Sequence, residues 1–293
     1  MQATVIINLR SSRSERSSEA VRVLLAARGI TVDDFVLVDD HRLIEKRVKR
    51  AVKRGAELII VGGGDGTMAL AVNALAHRKA ILGVLPLGTG NSFAKTLGIE
   101  DDLEQAVDVI AAAKVATVDL GRVNKRYFAN FATIGLSAEI ASTTNHDLKK
   151  IIGPLAYAVA GVGPMLSHKP FTTSIKWDGG HLNITTQQLV IASGRYFGKQ
   201  PLTPDASITD GKLALFTTTG VSQIDIARTY LAMGLGQQAH LPDAHAISAK
   251  RITIKTKPKA PLSLDGDDFG TTPAKFSIES RALRVYVAAD FNG

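Results

Sequence analysis

Residues 61–67, Val-Gly-Gly-Gly-Asp-Gly-Thr, place four glycines and one carboxylate between an apolar run and a helix-like pattern. Without a Cβ, glycine lets backbone N–H groups approach a phosphate closely, and a following helix adds the positive end of its dipole. Gly62, Gly63, Gly64 and Gly66 meet that requirement, with Thr67 after them. The turn lacks the Gly-Lys-Ser/Thr ending of a P-loop, and it carries an acid where the dinucleotide fingerprint needs none. Asp65 could cap its own helix. Beside a phosphate it requires instead a Mg²⁺ ion between the two negative charges.

A second glycine turn follows at 85–99, Leu-Pro-Leu-Gly-Thr-Gly-Asn-Ser-Phe-Ala-Lys-Thr-Leu-Gly-Ile, placing Gly88, Thr89, Gly90 and Asn91 after the next strand pattern. Two such turns on adjacent strands would face one crevice, with Lys95 either reaching back to a phosphate or solvated. Later acids stand in Asp210-Gly211 and Asp265-Gly266-Asp267-Asp268, sequences that by themselves read as turns. The seven histidines are dispersed; His240 and His245 lie closest, without a third ligand at metal spacing, so no zinc site is expected.

The elements that must hold these turns alternate. Strand patterns at 4–8, 34–38, 57–61 and 80–86 are separated by helix patterns at 18–29, 41–55, 67–77 and 101–114. Ser18 is the expected cap of the first helix and Gly29 its stop, while Asp101 with Glu104 opens the last. Regular β–α alternation with apolar strands predicts a parallel sheet with helices on both faces, which binds ligands outside the strands' carboxyl ends. Beyond about residue 118 the segments become short, alternating and rich in Thr, Val and Ile, predicting an antiparallel β-sandwich interrupted by helices at 145–166 and 222–235. The predicted organisation is an α/β domain over 1–119 and a β-sandwich domain over 120–281, with a last strand at 282–293 returning to the first.

The chain has 293 residues, no cysteine and a formal charge of +8. Disulfides and thiolate chemistry are excluded, and a reducing cytoplasm is the expected compartment. The basic balance favours anionic partners. With 5% aromatic residues and no nucleic-acid motif, nucleic acid is disfavoured. The run 151–167 is broken by two prolines and three glycines and is too short to span a bilayer, and no signal peptide is visible.

The motifs at 62–67 and 86–94 together resemble the catalytic domain of the diacylglycerol kinase and sphingosine kinase superfamily, bacterial lipid kinases in particular. NAD kinases and phosphofructokinases carry turns like the first, and the second turn tips the likeness. It continues through 128–140, 204–215 and 262–267, in order along the chain. The implied fold is a nucleotide-binding α/β domain and a β-sandwich, with ATP in a cleft between them.

The same resemblance implies roles for residues. ATP phosphates lie over Gly62–Thr67, with Thr89 and Asn8 lining the nucleotide site. Asn8 stands in Asn-Leu-Arg-Ser-Ser instead of the usual Asn-Pro-x-x-Gly turn, so Arg10 or Ser11 would supply phosphate contacts. Asp267, where many relatives carry Glu, is the implied general base; Asp65 is the Mg²⁺ organiser or alternative base. Asp210, with the carbonyls of Ser207 and Lys212, matches a second, structural cation position. Relatives continue after the first turn with Asn-Glu, where this chain has Ala69 and Leu70. The expected function is therefore a lipid kinase using Mg·ATP, peripheral on an anionic membrane surface at the inner face, without a transmembrane span; a homodimer is compatible with it. The alternatives are an NAD-kinase-like enzyme with a soluble substrate, or a catalytically weak nucleotide- or lipid-binding regulator.

Overall fold

The structure, a computed structural model, describes residues 1–11, 13–143, 168–194, 196–197, 200–203 and 206–293. The expected helix at 145–166 lies outside the described residues. The chain divides into two compact units, Met1–Leu120 with Ile208–Asp210 and Glu279–Gly293, and Gly121–Ser207 with Gly211–Ile278. Residues 208–210 and 279–281, placed in the second domain by sequence pattern, thus pack with the first unit.

In the first unit, β1 (Gln2–Asn8), α1 (Ser14–Ala27), β2 (Thr31–Val38), α2 (Ile44–Lys53), β3 (Leu58–Gly63), α3 (Asp65–Leu75), β4 (Ile81–Pro86), α4 (Ser92–Thr96), α5 (Leu103–Ala112) and the first part of β5 (Val115–Val123) follow in order. The sheet runs β2-β1-β3-β4, all parallel. Every residue of β3 is buried, as a strand covered on both faces requires. On α2, Ile44, Val48 and Ala51 turn inward, and the helix packs beside α3 and against β1. Two helix starts differ from expectation. α1 begins after Arg13 without a side-chain cap, leaving Ser18 a full turn inside. α5 is capped by Asp102, whose carboxylate accepts from the Glu104 N–H, because Asp101 is engaged elsewhere.

The second unit contains β6 (Arg126–Phe128), β7 (Phe131–Gly135), α6 (Leu136–Thr143), β8 (Phe171–Trp177), β9 (Gly180–Thr186), β10 (Gln188–Ala192), the short pair β11 (Tyr196–Phe197) and β12 (Gln200–Pro201), β13 (Leu213–Thr218), α7 (Gln223–Leu235), β14 (Ala244–Ala249), β15 (Arg251–Lys257), β16 (Pro261–Leu264), β17 (Asp267–Thr271) and the first part of β18 (Ala274–Tyr286). The later part of β18 belongs to the first unit, where Val285 pairs in parallel with Leu82. One antiparallel sheet runs β14-β13-β10-β7-β16-β17, and β15 pairs with β18 and β8, then β8 with β9. Inward residues of both sheets fuse into one core that includes Ile134, Leu189, Leu215, Ile175, Ile254 and Phe276. This is the expected sandwich.

β10 is buried at all five positions because α7 covers its other face, Met233 packing on Val190 and Phe216. α7 is set by a capping box between Ser222 and Asp225. A polar knot pins α6 to α7 beneath it: Tyr230 donates to Gln188 Oε1 at 2.8 Å, and Ser137 Oγ meets both partners, 2.9 Å from the Tyr230 hydroxyl.

Burial pushes the Tyr230 hydroxyl above its ordinary value of 10.0; the Ser137 hydrogen bond opposes the shift and Glu139 adds to it. The folded state holds the neutral phenol while the unfolded chain ionises near 10, so this stability is complete below that pH and falls as pH rises beyond it. Tyr230→Phe should cost about 1 kcal/mol near neutrality, since Gln188 and Ser137 lose one partner but keep their bond to each other. It should also flatten the loss of stability above about pH 10. Urea unfolding of both proteins across that range measures both effects.

Candidate active site

β1, β3 and β4 are aligned so that Ile7 pairs with Gly62 and Gly63 with Pro86, bringing Asn8 and both glycine turns to one edge of the first unit's sheet. Asn8 is buried and works as a brace. Its Nδ2 donates to Thr67 Oγ1 at 2.8 Å, and its Oδ1 accepts from the Arg10 N–H at 3.0 Å. The Arg10 side chain is exposed just beyond. A Ser11 N–H to Asn8 carbonyl bond of 3.1 Å closes this turn without the proline and glycine of the resembled motif.

Asp65 does not cap its own helix. α3 starts from Gly64, whose carbonyl accepts from the Thr67 and Met68 N–H groups. The Asp65 Oδ1 accepts instead from the Phe93 N–H at 3.1 Å, in the first turn of α4. One carboxylate thus ties the two glycine turns together. Asn91 locks the second turn from within. Buried and left-handed (φ +51°), it accepts from the Gly88 N–H, donates to the Gly88 carbonyl, and donates to Asp101 Oδ1 at 2.7 Å. Lys95 is committed to the same turn, donating to the Gly90 carbonyl at 2.7 Å and lying 3.4 Å from Asp101. Thr89 is exposed at its tip.

The glycines divide by what surrounds them. A Cβ on Gly88 would stand 2.3 Å from Gly64 Cα, and one on Gly63 would strike Thr67 at 2.4–2.6 Å. One on Gly62 would meet Ile7 at 2.5 Å, and one on Gly90 would meet Asp65 at 2.9 Å. These positions are small because the turns pack on each other and on the sheet. Gly66 alone among the six has nothing within 4 Å of such an atom. Packing alone therefore already accounts for the missing side chain at the other five, while open space lies at Gly66, in the first turn of α3. The leading N–H groups of a helix have no intrahelical acceptor, which suits an anion. Ala69 and Leu70 follow, half-buried, with Asn73 donating back to the Ala69 carbonyl at 2.7 Å.

In the second unit the two acids of the Asp-Gly-Asp turn do different things. Asp265 is buried at φ +48° and accepts from three successive N–H groups, those of Ala129, Asn130 and Phe131, at 2.9–3.1 Å. It holds the passage from β6 into β7. Asp267 is exposed at the head of β17, opposite Leu264. Asp210 is exposed before Gly211 in the first unit, while Ser207 is half-buried and Lys212 exposed in the second. Among the described residues, no three acidic or histidine side chains cluster as a metal site would. Sequence reading missed Asp101 and Asp265. The first looked like a helix cap, and the second shared one acidic turn with its neighbours.

Removing the Asp265 carboxylate should therefore unfold the turn that Asp267 merely decorates. Asp265→Ala removes the acceptor of three N–H groups, two of them buried, and should cost about 3 kcal/mol or more. Asp267→Ala should stay within about 0.5 kcal/mol of the parent. Denaturant titration of the two variants separates them.

Two family models match the chain: the diacylglycerol kinase catalytic domain over residues 2–123, and the YegS C-terminal NAD kinase beta sandwich-like domain over 130–287. A diacylglycerol kinase of Staphylococcus carnosus is 30% identical over 245 residues, covering 83% of this chain and 80% of the relative. That of Staphylococcus haemolyticus is also 30% identical, over 83% and 74%. A crystal structure of a diacylglycerol kinase from Bacillus anthracis covers 99% of this chain and 98% of its own at 20% identity, with a TM-score of 0.76. Another from the same organism reaches 0.84 at 23% identity, over 99% and 96%. At such identities these structures speak for the fold, and the 30% relatives with the two matched domains speak for the family. The chain belongs to the diacylglycerol kinase family of lipid kinases, enzymes that phosphorylate an alcohol group.

Proposed function

We propose that this protein transfers the γ-phosphate of Mg·ATP to the hydroxyl of a membrane lipid, a diacylglycerol, sphingoid base or ceramide, working as a peripheral enzyme at the inner membrane face. The observation that carries this reading is the open space at Gly66, at a helix N-terminus, in a pair of turns otherwise closed by their own packing. A phosphate placed there meets the Gly66 N–H and the positive end of the helix dipole.

Asp65 bears on the cation. Its carboxylate stands at the N-termini of α3 and α4, where an incoming phosphate would meet like charge. Mg²⁺ is held typically by one or two carboxylates together with nucleotide phosphates and water. Asp65 fits that mode, and the bound ion would supply charge neutralisation on the phosphate oxygens. The remaining work falls to side chains. The lipid oxygen bonds to the γ-phosphorus as the bond to the bridging oxygen of ADP breaks, and its proton passes to a carboxylate. Asp267 is the favoured acceptor because it is exposed and free of the structural duties of Asp265; Asp65 is the alternative. Asn8, Thr67 and Asn91 position the turns, and Arg10 and Thr89 are exposed where they could contact phosphate. Among the described residues no helix is long and apolar enough to cross a membrane, which suits a peripheral enzyme.

The second matched domain, NAD kinase beta sandwich-like by description, supports keeping NAD as a competing acceptor. The apolar Ala69 and Leu70 motivate the other rival, a regulator that binds without transfer. Radiolabelled γ-phosphate transfer over a panel of lipids in mixed micelles, with NAD alongside, decides among the three. Transfer to a lipid is expected, falling about 10²–10⁴-fold in Asp267→Asn. Label appearing only on NAD, or ATP binding with no transfer at all, would overturn the reading. Gly66→Val, which fills the open space, should leave the melting temperature unchanged. It should raise the KM for ATP about tenfold, as roughly 1.4 kcal/mol of lost binding would.

A further inference from the structure

α2 carries a row of cations that no acid neutralises. Arg42, Lys49 and Arg54 are paired with Asp40, Glu45 and Asp34. Lys46, Arg47, Arg50 and Lys53 are exposed and have no ion-pair or hydrogen-bond partner among the described residues. A helix turns about 100° per residue, so these four fall within an arc of about 120°. Ile44, Val48 and Ala51 occupy the opposite face, sealed against the unit's core. Leu43, 37% exposed, stands at the head of the helix. The apolar face is already used, so this helix cannot embed itself in a bilayer as an amphipathic anchor does. What it offers outward is charge.

Its placement is specific. α2 leaves the carboxyl end of β2, the same edge of the parallel sheet that holds the two glycine turns, and packs beside α3, the helix that opens at Asp65. We propose that the Lys46–Arg47–Arg50–Lys53 face of α2 is the surface by which this protein adsorbs to anionic phospholipid bilayers. This deepens the lipid-kinase reading and rests on it. A bilayer suits the row better than nucleic acid does. The cations lie on a helix held flat against the protein, and with 5% aromatic residues the chain has little with which to stack bases. Each Lys or Arg at an anionic surface contributes about a fivefold gain in partitioning, lost within a Debye length.

The test is sedimentation with phosphatidylcholine vesicles, with and without phosphatidylglycerol, in the absence of ATP and substrate lipid, so that it does not depend on catalysis. The full chain should bind only the anionic vesicles and release as salt rises. Replacing Lys46, Arg47, Arg50 and Lys53 together by Gln should lower binding on the order of a hundredfold or more. Transfer to a short-chain lipid in neutral micelles, which reports the kinase reading separately, should be unaffected. A control with the same change in charge replaces Lys176, Lys255, Lys259 and Lys275, all exposed in the second unit, and should keep most of the binding. If the α2 variant does not fold, Lys46→Gln and Arg50→Gln singly should each lose about fivefold. Undiminished binding in the α2 variants, equal loss in the control, or tighter binding to duplex DNA than to anionic vesicles would overturn the proposal.

Discussion

The contact between Gly64 and Gly88, with the Asp65 carboxylate bonded across to the Phe93 N–H, is the constraint on which the rest of the first unit depends. Two turns leave neighbouring parallel strands and touch backbone to backbone, closer than any side chain would allow. That closeness lets a single carboxylate sit at the beginnings of two helices. It also explains why Asn91 must take a left-handed conformation and spend its amide on Gly88: the second turn has to be rigid to lie against the first. Asn8 serves the same end from the first strand, fixing Thr67 over Gly63. The open position at Gly66 is what remains once the packing is satisfied.

The second unit solves a different problem. Its sheets share one apolar core, yet β10 is buried on both faces and still carries Gln188. The amide is tolerated because Ser137 and Tyr230 bring partners from α6 and α7, so a polar knot marks the seam where helices cover the sheet. Asp265 does comparable work at the other end of β7, gathering the N–H groups of Ala129, Asn130 and Phe131 at that turn. Its neighbour Asp267 is thereby left unburdened at the surface.

Much of this was legible in the sequence, and the reasons are local. Apolar strands of β–α period, the carboxyl-end location of both turns, and the alternating segments after residue 118 follow from pattern alone. The resemblance carried by residues 62–67 and 86–94 named the family that the matched domains and relatives then showed. What could not be read depended on contacts distant in the chain. Asp101 and Asp102 look equally good as caps until Asn91, ten residues back, is found to hold the first. The division of labour between Asp265 and Asp267 rests on N–H groups more than 130 residues away. That packing also demands glycine at most of the turn positions was invisible, since a glycine looks the same whether it faces a neighbour or empty space.

The central claim is that ATP phosphates settle at Gly66, on the first turn of α3. Among the chain's 26 glycines this is a single, identifiable amide. Titrating the ¹⁵N-glycine-labelled protein with Mg·ATP reads it directly by amide resonance. The account predicts that the Gly66 signal shifts most, saturably, and that Gly64 and Gly88 follow as its packed neighbours. Saturating Mg·ATP that leaves Gly66 unmoved while glycines elsewhere respond would contradict it.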